Sequence, residues 1–214
     1  MSKAGDEMTP RTNEQNNAIR RQRIYQIKNI AAKVFLEKGI NMEIGDIAKK
    51  ANLGRGTIYH YYNNKITLLE DLLSEALEEA KKNTIEIINT NELPLVKLEQ
   101  YARRQLKLWV EQPFVFILFK NYLLQSEFIP AKNNDEILKD FQTYLYIPIV
   151  KTIEEGIHSG QLVSVDSDTA VKLFFGALVG TVHSYIKQND SLYLTVDTQW
   201  IDDIITILFK GLKA

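Results

Sequence analysis

Arg55, Thr57, Tyr59 and His60 place one cation, two hydroxyls and one imidazole within a turn and a half of chain. Donors packed this densely suit hydrogen bonding to phosphates and base edges rather than bond making. The residues that could do covalent chemistry are scattered instead. His60, His158 and His183 are far apart in sequence. The acid pairs Glu154–Glu155 and Asp202–Asp203 are neighbours that diverge by about 100° on a helix. Cysteine is absent, which excludes disulfides and thiolate chemistry. There is no HExxH and no Walker loop, and Gly54 and Gly56 lack the third glycine and the preceding strand of a dinucleotide site. The sequence calls for no cofactor, no metal and no enzyme activity.

The donors need an element to present them. Gly54 can cap a short helix, the small Gly56 lets a neighbouring helix approach, and Asn63 and Asn64 end the segment before Lys65 opens the next helix. Just upstream, Ile44, Ile47, Ala48 and Ala51 repeat at helical spacing, and Asn52 suits a turn. Two short helices joined by a turn, the second rich in donors, describe a helix-turn-helix whose second helix enters the major groove of DNA.

The stretch from Gly39 to Leu69 resembles the DNA-binding segment of the TetR family of transcriptional regulators. Matching positions are Gly39, Ile44, Asp46, Ile47, Ala48, Lys49, Lys50, Ala51, Leu53, Gly56, Thr57, Ile58, Tyr59, His60, Tyr61, Lys65 and Leu68. It departs from the family pattern at Glu43, Asn52, Gly54 and Tyr62. Asn52 can take the left-handed conformation of a glycine. Glu43 would repel phosphate, so no DNA role is carried to it. The resemblance implies a DNA-reading surface of Arg55, Gly56, Thr57, Tyr59, His60 and Lys65. Arg55 and Thr57 would contact base or phosphate, and Tyr59, His60 and Lys65 would contact phosphate.

Charge supports a division of labour. Through Lys65 the chain carries 12 Lys or Arg against six Asp or Glu, whereas the rest carries 14 against 21. A basic head on an acidic body suits a polyanion bound through the head alone. The 214 residues, 45% hydrophobic and 25% charged, can bury a large core. The organisation expected is a disordered polar tail over 1–17, a DNA-binding domain over 18–65 and a helical body over 66–214. The N-terminus lacks the apolar stretch of a signal peptide, and uninterrupted apolar runs reach only about ten residues against the roughly 20 of a membrane helix. The expected location is the cytoplasm, with no membrane partner.

The body reads as helices divided by Pro and Gly, so the fold class expected is all-α. A long amphipathic helix from Lys65 to about Ile88 links head to body. Helices follow from about Asn91 to Glu111, from Pro113, from near Asp135 to near His158 with a kink or split at Pro148, from Asp166 or Ser167 to about Gln188, and from Gln199 to Leu212. Ser126 to Asn134 and Asn189 to Asp197 read as loops. Small residues Gly176 and Gly180 share a helix face with His183. With Ile201, Ile204, Ile205 and Leu208 they form the expected homodimer interface. Across that helix, Phe174 and Leu178 join Gln105, Trp109, Phe116, Phe119, Tyr122, Phe141 and Tyr144 as the lining expected for a hydrophobic small-molecule effector. The partners expected are therefore double-stranded operator DNA, a second copy of the chain and that effector. The family resemblance implies a repressor released from a palindromic operator when ligand moves the linking helix and spreads the heads. Alternatives are a ligand-independent or ligand-activated regulator of the same family, a helical enzyme with an appended DNA-binding head, and a structural DNA-bending protein.

Overall fold

The computed structural model describes residues 12–124, 134–189 and 196–211. The tail before Thr12, most of the expected 126–134 loop and nearly all of the LYLTV segment lie outside them. Among the described residues every regular element is helical.

Helix α1 spans Asn13–Lys38 and starts five residues before the expected start of the DNA-binding domain at 18. The cause is a capping box. The Thr12 hydroxyl accepts from the Gln15 amide at 3.2 Å, and the Gln15 carboxamide accepts from the Thr12 amide at 3.1 Å. Its early residues stand in solvent, and burial begins near Ile27. Gly39 ends it at φ 58°, a conformation that favours glycine. After a 3₁₀ turn at Gly39–Asn41 come α2, Ile44–Ala51, and α3, Arg55–Tyr59. Asn52 joins them at φ 53°, the left-handed role expected of it.

Helix α4, Lys65–Ile88, has the expected bounds. The Asn64 side chain caps it by accepting from the Ile66 and Thr67 amides at 2.9 and 3.0 Å. Its 24 residues make a strut of about 36 Å. Helix α5, Pro94–Glu111, begins with proline in its first turn, so Leu93 rather than Asn91 is the N-cap. Helices α6, Pro113–Leu124, and α7, Asn134–Phe141, follow. Pro148 splits the next helix as expected. It supplies no N–H, so the ladder before it widens into a π-helical turn at Gln142–Tyr146, and α8 starts afresh at Ile147–His158. The Asp166 carboxylate caps α9, Ser167–Gln188, by accepting from the Thr169 amide at 2.8 Å. The last helix, α10, is Thr198–Lys210.

Helix α5 is the axis of the body, packed against α4, α6, α8, α9 and α10. Its buried stripe of Leu98, Tyr101, Ala102, Gln105, Leu106 and Trp109 is at most 1% exposed. The head sits on the body through α1, which packs against both α4 and α6.

Candidate functional site

In the head, Ile58 is fully buried and anchors α3. Arg55, Gly56, Tyr59 and His60 face outward, and Thr57 is half-buried. The surface beneath them is tied down. The Tyr62 hydroxyl donates to Asp71 Oδ2 at 2.6 Å, and the nearly buried Lys28 ammonium binds the same carboxylate at 2.8 Å as well as Glu75. Burial opposes the Lys28 charge, but the hydrogen bonds from Asp71 and Glu75 outweigh it and raise its pKa. Burial and the bond to Asp71 likewise raise the Tyr62 phenol. This joint holds α1, the end of the reading segment and α4 as one body.

Two head residues differ from expectation. Gly56 admits no neighbouring helix: nothing lies within 4 Å of where its Cβ would stand, because it faces solvent. The close approach belongs to Gly45, whose added Cβ would sit 2.6 Å from the Arg55 guanidinium. A glycine in the N-terminal turn of α2 was the available signal. Lys65 is no free phosphate-seeking ammonium. It donates to the carbonyls of Ile40 and Met42 at 3.0 and 3.1 Å and pairs with Glu43 at 3.0 Å, so it fastens the turn before α2. Arg20 adds a cation near α3, lying 5.4 Å from the Tyr61 ring centre, and the Tyr61 ring meets His60 edge-on at 5.1 Å.

Gly45→Ala should therefore displace the Arg55 side chain while favouring helix α2 by up to about 1 kcal/mol. The expected result is weaker DNA binding by anisotropy together with an unchanged or raised melting temperature. Asp46 gives the head one acid-sensitive contact. Its carboxylate accepts from Lys38 at 2.6 Å and from the Glu43 amide at 2.9 Å, and these bonds, Lys38 first, hold its pKa below 3.8. A depressed carboxylate stabilises the fold above its unfolded value, and that contribution is lost as pH falls through the folded one. Melting followed across pH 5 to about 2 should show Asp46→Asn losing less stability on acidification than the parent.

In the body, the residues expected to line a pocket pack against one another as core, with one exception. Trp109 lies 5.7 Å from Phe116 and 4.9 Å from Phe119, while Phe141 lies 5.2 Å from Phe119 and 5.3 Å from Tyr122. Leu178 is buried, and Phe174 stands 6.2 Å from Tyr101. Tyr144 is corrected: it is 43% exposed, with its ring over Lys81. Within this cluster Gln105 accepts from Asn83 at 2.9 Å through its oxygen. Its Nε2, like Trp109 Nε1 and Asn121 Oδ1, has no hydrogen-bond partner among the described residues.

An apolar cavity of about 240 Å³ lies beside this cluster, between α5, α8, α9 and α10. Leu98, Ile153, Ile157, Leu162, Phe174 and Phe209 are among its lining, and of the expected pocket residues it contains Phe174. The missed signal was apolar residues in the turn after α8, where Val163 is 76% exposed.

The expected dimer face is partly corrected. Ile201 and Ile205 are buried within the chain's own core, and Leu208 lines the cavity. Ile204 is half-buried. On α9, Leu173 is 68% exposed, and nothing lies within 4 Å of a Cβ at Gly176 or Gly180. His183 is half-buried, 6.4 Å from Phe116, and burial, with help from Lys120 and Lys187, lowers its pKa. Helix α9 also has the length and composition of a membrane span, which the count of uninterrupted apolar runs missed. The reason is that its Val, Leu, Phe and Ala residues carry the mean hydropathy, while Gly180, Thr181, His183 and Ser184 break the run.

Residues 29–72 match the family described as bacterial regulatory proteins, tetR family. The chain is 28% identical to the fatty acid metabolism regulator protein of Bacillus subtilis (strain 168) over 196 residues, which cover 90% of this chain and 97% of that one. Among solved structures it resembles the transcriptional regulator FadR from Bacillus subtilis in complex with stearoyl-CoA. That match has 24% identity, a TM-score of 0.58, and covers 88% of this chain and 99% of that one. It also resembles AibR in complex with isovaleryl coenzyme A and operator DNA, at 17% identity and a TM-score of 0.63, covering 87% of this chain and 98% of that one. In sequence over its helix-turn-helix and in fold over its all-helical body, the chain is similar to the bacterial regulatory proteins of the tetR family.

Proposed function

We propose that this protein is a homodimeric transcriptional repressor that reads a palindromic operator with α3 and releases it when an acyl-CoA binds in the body. The observation that carries the reading is α3 itself. A fully buried Ile58 seats it on the head, while Arg55, Tyr59 and His60 remain outward on the basic end of the chain. Two copies of α3 about 34 to 36 Å apart would enter successive major grooves. The α9 face of Leu173, Gly176 and Gly180 favours a two-fold partner, since an apolar, small-residue face left in solvent marks an association surface.

The effector class rests on two supports. The body holds an apolar cavity beside an aromatic cluster, and two relatives are described with acyl-CoA molecules bound. An acyl-CoA that binds the released state better than the DNA-bound one shifts the population by that difference in affinity. Relatives named as regulators, and the lack of a catalytic constellation in the sequence, favour a regulator over an enzyme. The test is selection of duplexes from a random library by the purified protein at near-physiological salt. An enriched palindrome, bound by two subunits, is the expected result; recovery of unrelated sequences with steeply salt-dependent binding would overturn the operator reading.

A further inference from the structure

We infer that Gln105 and Trp109 together bind a neutral carbonyl of the effector, so that the body reads the ester-like acyl group and not only its apolar tail. This rests on the effector reading above. Gln105 and Trp109 are one helical turn apart on the buried stripe of α5, and both are fully buried. Residues four apart on a helix face the same way. Gln105 gives its oxygen to Asn83, which leaves the two N–H bonds of Nε2. The Trp109 indole has a donor and no acceptor. Two donors cannot satisfy each other, and neither has a partner among the described residues. A buried donor without a partner is costly, and one acceptor with two lone pairs, placed between them, answers both.

The surroundings decide which acceptor. A carboxylate taken into an apolar interior needs a compensating cation. Among the described residues the only buried cation is Lys28, and it is committed to Asp71 and Glu75 at the joint with the head. Around Trp109 the neighbours are the rings of Phe116 and Phe119. The interior therefore suits an uncharged carbonyl, as in a thioester, and rejects a free acid. Asn83 also lines a surface groove between α4 and α5, where Lys82, Arg104 and Lys107 stand beside Glu79, Glu86 and Glu111.

The test compares palmitoyl-CoA, S-hexadecyl-CoA, which lacks the carbonyl oxygen, and palmitate, by calorimetry on the full-length protein. The parent protein should bind the thioester about tenfold or more tightly than the thioether, the penalty of leaving buried donors unpaired, and should bind palmitate weakest. Gln105→Leu and Trp109→Phe should each shrink the thioester-to-thioether ratio several-fold while retaining thioether binding, which also reports that the variants fold. Equal binding of thioester and thioether by the parent would overturn the carbonyl reading and leave the effector reading standing, as would a ratio unchanged in both variants. Binding of none of the three probes would overturn both together.

Discussion

Gly180→Arg is expected to convert the protein into a monomer and to lower its affinity for operator DNA by about a thousandfold or more, toward the level of non-specific binding. Gly180 lies on the outward face of α9, one turn from Gly176, and nothing in its own chain stands within 4 Å of an added Cβ. Within one subunit the arginine can extend into solvent, so the fold itself has nothing to lose. Between two subunits packed through these glycines, the same side chain would bring a bulky charge into an apolar contact and leave it unpaired. The loss at DNA then follows from geometry. A dimer engages two half-sites as a single binding event, whereas a monomer must bind each alone. Sedimentation and anisotropy on the same sample check it, and a variant that stays dimeric with unchanged operator binding would remove α9 from the interface.

The second large effect falls on Arg55→Ala. Its guanidinium lies against the N-terminal turn of α2 at Gly45, which gives a flexible cation a defined place on the reading surface. A good side-chain contact to a base is worth roughly 1–3 kcal/mol of discrimination. Two-fold symmetry doubles it, so operator affinity should fall roughly 30-fold to 10⁴-fold. The drop should be smaller on unrelated duplexes, and the melting temperature should hold because Arg55 is exposed. A uniform loss on every duplex would make Arg55 a phosphate contact instead.

The head was legible in the sequence because its signals are local. Gly39, Asn52 and Asn64 punctuate α1, α2 and α4, and all three adopt the backbone or capping roles their types suggest. Where expectation failed, distant partners had decided. Lys65 is spent on carbonyls some 23 to 25 residues away, and the crowding falls on Gly45 because Arg55 folds back across it. The body was legible in outline, since Pro94, Pro113 and Pro148 mark helix starts that the structure keeps. Its interior was not. Periodicity placed Gln105 and Trp109 on a buried face, but it could not show that their polar atoms lack partners. Nor could it separate Ile201 and Ile205 from Ile204 and Leu208 beside them on the apolar side of α10, because only packing against α5 shows which of these the chain itself buries.

The central claim is that one chain reads DNA through α3 and answers to an acyl-CoA in its body. Fluorescence anisotropy of the selected operator duplex, titrated with palmitoyl-CoA at fixed protein and salt, tests both halves at once. The account predicts saturable release of the duplex by palmitoyl-CoA, with free coenzyme A producing none. Binding of the duplex that stays unchanged at palmitoyl-CoA concentrations which calorimetry shows to saturate the protein would contradict it.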